Sequence, residues 1–139
     1  MIKTTARFLF FLALVVAASF AHASDSPLVL AHHLTGFNPQ ASATTVDYTL
    51  HVHNSGDTAV TEISLSLVPV IPVLGKGTTL NIAYLGPNEV TDVTLQVESR
   101  LMVDKPRYAG ATLFWTGRCV DSNGKVVEFP VKSRPGGAE

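Results

Sequence analysis

Hydrophobic residues run together without a break once, from Phe8 to Ala18, and from Leu28 onward they alternate with polar ones. Alternation of period two predicts half-buried strands, because successive strand side chains point to opposite faces of a sheet. Seven such segments follow one another: Leu28 to Leu34, Val46 to Asn54, Val60 to Val68, Thr78 to Ala83, Thr91 to Glu98, Ala109 to Val120 and Lys125 to Lys132. Asn54-Ser55-Gly56-Asp57 reads as the turn between the second and third segments, and Asp121-Ser122-Asn123-Gly124 as a hairpin between the last two. After the first apolar run no three-to-four spacing is sustained, so helices should be nearly absent. Seven short strands in about a hundred residues predict an all-β chain, a seven-stranded immunoglobulin-like β-sandwich.

The same alternation assigns faces. Val46, Tyr48, Leu50 and Val52 should point inward, leaving Asp47, Thr49, His51 and His53 outside. Ile63, Leu65 and Leu67, then Val93, Leu95 and Val97, then Leu113, Trp115 and Cys119, and last Val127, Phe129 and Val131 complete the expected core. His32 shares the inward parity of Leu28, Leu30 and Leu34, which favours a satisfied edge histidine over a ligand.

The segment Val46-Asp47-Tyr48-Thr49-Leu50-His51-Val52-His53-Asn54-Ser55-Gly56 resembles the strand and Asn-x-Gly signature of bacterial immunoglobulin-like modules of the CARDB type, named for a relation to cell adhesion. Leu85-Gly86-Pro87-Asn88-Glu89, followed by Val93-Thr94-Leu95-Gln96-Val97, is similar to the family's Leu-x-Pro-Gly-Glu turn and strand. Asn88 stands where Gly is usual, a place that asks for a left-handed backbone, which Asn tolerates. The resemblance spans roughly residues 47–98 and implies a spacer or binding unit rather than an activity.

The first apolar run changes the picture of where the protein resides. Lys3 and Arg7 precede it, no acid does, and Ala21-His22-Ala23 follows it. It is too short to span a bilayer, which needs about 20 apolar residues, so residues 1–23 read as a signal peptide cleaved after Ala23. The product should be periplasmic or secreted, with no membrane insertion after cleavage. Residues 24–134 are expected to form the single domain and residues 135–139 a disordered tail. Without Lys3 and Arg7, eight Lys and Arg stand against eleven Asp and Glu, a net charge of −3. Nucleic acid is therefore a poor partner, since it demands a clustered basic surface. Cys119 is the one cysteine, which excludes an intrachain disulfide and a thiolate zinc cluster.

Chemistry is sparse. Gly-x-Ser-x-Gly, His-Glu-x-x-His, Cys-x-x-Cys and glycine-rich phosphate loops are all missing, so a non-enzymatic role without a cofactor is expected. His51 and His53 lie about 7 Å apart along one outward face, a spacing that Cu(II) or Zn(II) can bridge, with His33 and Asp47 as further ligands of the same parity. Against that stands the plainer reading of solvated residues on a polar face. Cys119 follows Arg118, which would activate the thiol, but its inward parity makes it a core residue. Two connections are unusually apolar: Val70, Ile71, Val73 and Leu74 among two prolines, and Leu101, Met102 and Val103. They cap the core's end or form an interaction patch for an unknown protein partner or for self-association. The expected function is thus protein-protein contact, with periplasmic metal binding as the alternative.

Overall fold

The structure, a computed structural model, describes residues 26–69, 73–74, 79–100 and 104–136. Eight strands and a short helix follow in order: β1 (Leu28–Pro39), β2 (Thr44–Asn54), β3 (Val60–Leu67), β4 (Val73–Leu74), β5 (Thr79–Leu85), β6 (Val90–Ser99), α1 (Lys105–Ala109), β7 (Leu113–Val120) and β8 (Val126–Pro135). They hydrogen-bond into one mixed sheet in the order β4-β6-β2-β1-β8-β7-β3-β5. Every pairing is antiparallel except β1 with β8, which run parallel from Leu30↔Ser133 to His32↔Pro135. The sheet curls almost into a barrel, bringing β5 near β6 with no pairing between them among the described residues. The all-β expectation therefore holds, with one continuous sheet. The added strand is β4, two residues that pair with Ser99 and Glu98 inside a segment expected to be a loop.

The expected strand from Ala109 to Val120 needs correction, because its first residue ends a helix and the strand starts at Leu113. Pro106 explains the helix: its fixed φ suits a first turn, where its missing N–H costs nothing. The Gly110 N–H then closes the turn on the Pro106 carbonyl at 3.0 Å. The helix carries Tyr108 into the core, where the Tyr48 hydroxyl donates to the Tyr108 carbonyl and the Tyr108 hydroxyl donates to Ser99 Oγ, both at 3.0 Å. At the other end of the chain, Pro135 closes β8 rather than opening a tail, and the Gly136 N–H donates to the His32 carbonyl at 2.9 Å. Residues 137–139 and the expected signal peptide lie outside the described residues.

The core follows the alternation. Val46, Tyr48, Leu50 and Val52 are buried on β2, Ile63, Leu65 and Leu67 on β3, and Leu95 and Val97 on β6; Trp115 and Cys119 on β7 and Phe129 on β8 complete one cluster. Val93, Leu113, Val127 and Val131 are half-buried. Val60 and Ile63 both point inward although three residues apart, an odd spacing that alternation alone forbids. A β-bulge resolves it: Glu62 takes φ 50°, and the pairing of β3 with β7 shifts between Thr61 and Ser64. Gly117 lies directly opposite Phe129, whose ring covers it so closely that a Cβ there would collide with ring carbons.

Candidate functional site

The outer face of β1, β2 and β6 carries His33, Asp47, His51, His53 and Asp92. Register sets His51 between Ala31 on β1 and Asp92 on β6, and His33 opposite Thr49, one step diagonal from His51. His33 Nδ1 and His51 Nε2 are 3.0 Å apart, with ring centroids at 5.0 Å and planes inclined by 21°. His51 Nδ1 meets Asp92 Oδ1 at 2.5 Å. A carboxylate only accepts, so Nδ1 carries the proton, and in the neutral ring the Nε2 lone pair faces His33.

Of the expected ligand set, this arrangement joins His33 and His51 and leaves out the other two. His53 stands opposite Val29 and Val90, one step further along β2, and Asp47 accepts from Gln96 Nε2 at 3.0 Å. Among the described residues no three His, Cys, Asp or Glu side chains converge as a closed metal-holding group. Asp92 is the residue that sequence reasoning missed. Its outward parity beside Val93 was readable, but its position opposite His51 depends on the register of β2 with β6.

A second histidine centre is sealed. His32 and Ser133 are fully buried, with His32 Nδ1 2.8 Å from Ser133 Oγ and His32 Nε2 3.0 Å from the Ala111 carbonyl. The carbonyl accepts, so Nε2 holds the proton and bare Nδ1 takes the Ser133 hydroxyl proton. Trp115 Nε1 donates to the same hydroxyl at 2.9 Å. Burial lowers the His32 pKa; the Ala111 carbonyl opposes that shift and neighbouring His33 adds to it. A serine beside a histidine has the elements of a nucleophile and base, but here both are closed to substrate and committed to core hydrogen bonds.

Cys119 is buried, as its parity implied, and burial first, then Asp121, pushes its thiol pKa up. That is the opposite of activation by Arg118. The residues that carry the family resemblance are structural: buried Asn54 donates through Nδ2 to the Thr58, Leu85 and Gly86 carbonyls and accepts from the Gly56 N–H. Asn88 adopts φ 57°, the left-handed backbone its place requires. Of the apolar segments expected to bind a partner, Val70, Ile71, Leu101, Met102 and Val103 lie outside the described residues. Val73 and Leu74 are described only as strand β4. Val68, just before them, borders an apolar groove of about 560 Å³ with Phe114, Trp115, Pro130, Val131 and Lys132.

No family model and no curated protein matches the sequence. Among solved structures, a FixG-related protein from Vibrio parahaemolyticus is similar at 16% identity and TM-score 0.37, covering 80% of this chain and 98% of its own. A structural-genomics target, SoR45, aligns at 15% identity and TM-score 0.40 over 81% of this chain and 88% of its own. The N-terminal domain of PorA aligns at 15% identity and TM-score 0.30 over 79% of this chain and 99% of its own. At such TM-scores these likenesses carry no argument about what the chain does.

Proposed function

We propose that the protein is an exported, non-enzymatic immunoglobulin-like module of CARDB type that acts by protein contact, and that a partner adds a strand at β5. The sheet order divides at the parallel β1–β8 junction into β4-β6-β2-β1 and β8-β7-β3-β5, and the buried residues of both halves meet in one cluster, which supports the sandwich reading. The leader-like residues 1–23 support export into the periplasm or beyond.

The observation that carries the proposal is the composition of the β5 edge. β5 ends the sheet, pairs with β3 alone among the described residues, and reads Thr79-Leu80-Asn81-Ile82-Ala83-Tyr84-Leu85. Edge strands are normally blunted by charge, proline or a bulge, because their free N–H and C=O groups invite another chain. β5 has no charge, no proline and no register shift, and Tyr84 at its end is 58% exposed. The opposite end contrasts with it: β4 is two residues long, and β6 beside it carries Asp92 and Glu98. An unblunted edge is what strand addition uses, with main-chain hydrogen bonds giving affinity.

Asn81→Lys combined with Ala83→Lys places two charges at exposed positions of that edge. The double variant should lose self-association in sedimentation, or the partner co-purified with the wild type, with an unchanged melting curve. Retention of either association at wild-type strength contradicts the proposal.

A further inference from the structure

We propose that His33 Nδ1 and His51 Nε2 bind one divalent transition-metal ion, Cu(II) or Zn(II), on the outer face, with Asp92 as the positioning residue that holds His51. This site is independent of strand addition at β5, since it lies on the β1, β2 and β6 face. The geometry points to it in two ways.

First, two nitrogens bound side by side to one ion at about 2.0–2.1 Å stand about 3 Å from each other. His33 and His51 already present theirs 3.0 Å apart, on neighbouring strands whose pairing fixes the separation. Second, a metal-ligating histidine characteristically donates its other ring N–H to a carboxylate, which sets the tautomer and aims the lone pair. Asp92 gives His51 that partner and leaves its Nε2 without a proton; in the ion-free chain Nε2 accepts from the His33 Nδ1–H, and an ion binds as that proton moves to His33 Nε2. Imidazole suits Cu(II) and Zn(II), and Cu(II) should bind more tightly by the general affinity order of divalent ions. Two nitrogens leave the remaining positions to water, making the site open and exchangeable rather than structural.

Tag-free protein purified from the exporting cell should be titrated with Cu(II) and separately with Zn(II) by calorimetry, with electron paramagnetic resonance of the Cu(II) form. The expected result is one ion per chain and a two-nitrogen hyperfine pattern. His33→Ala and His51→Ala should each weaken binding more than tenfold. Asp92→Asn should weaken it about 10- to 100-fold while the two-nitrogen pattern persists, which a merely structural role would not produce. His53→Ala should leave affinity unchanged. No stoichiometric binding by the wild type, or binding that survives the His33 and His51 double substitution, overturns the site. If a variant does not fold, Cu(II) broadening of ring signals in the wild type decides the matter: selective loss at His33 and His51 supports the site, and uniform or absent broadening overturns it.

Discussion

Ser133→Ala removes one hydroxyl from the centre of the core and leaves the carbon framework in place. That hydroxyl accepts from Trp115 Nε1 at 2.9 Å and donates to His32 Nδ1 at 2.8 Å. His32 is held on its other side by the Ala111 carbonyl, which keeps its ring from turning to another donor. Leaving a buried polar group unpaired costs about 1–3 kcal/mol, so two of them cost about 2–6 kcal/mol together. Small domains have about 5–15 kcal/mol of stability in all, and at this size 1 kcal/mol shifts Tm by roughly 4 °C. The variant should stay folded but melt about 8–24 °C lower. Urea denaturation followed by Trp115 fluorescence reads the network directly, since Trp115 is the only tryptophan. A loss below about 1 kcal/mol would refute the reasoning.

The acid limb of stability should carry the signature of His32. Its folded pKa lies below the ordinary 6.5, so the unfolded chain binds the proton first. Stability is then complete above about pH 6.5 and declines as pH falls towards the folded value; His32→Gln should flatten that decline in urea midpoints measured across pH. Cys119, buried with a raised pKa, should react slowly with a thiol reagent in the native protein and rapidly in denaturant. Fast native labelling, or a disulfide-linked dimer on non-reducing gels, would contradict its burial.

What the sequence made legible was local. Alternation alone assigned Val46, Tyr48, Leu50, Val52, Trp115 and Phe129 to the core, and put His33 and His51 on one outer face, because side-chain parity needs no knowledge of neighbours. The hairpin at Asp121 to Gly124 was equally local, whereas the left-handed backbone at Asn88 was expected only from the resemblance of its turn to one where Gly is usual. Helix α1 was missed although Asp104-Lys105-Pro106 is a helix-start signal, because five residues are too few to show a helical period. Whatever depends on register stayed hidden. Ser133 reaches His32 across 101 residues of sequence through a parallel pairing, and Asp92 reaches His51 across 41.

Strand addition at β5 is tested most directly in the cell. A photo-reactive residue replacing Ala83 on the β5 edge, with the same replacement at Ser122 in the β7–β8 turn as control, reports which surface meets another chain. The account predicts a discrete cross-linked adduct from position 83 and none from position 122. No adduct at 83, or equal adducts at both positions, would contradict it.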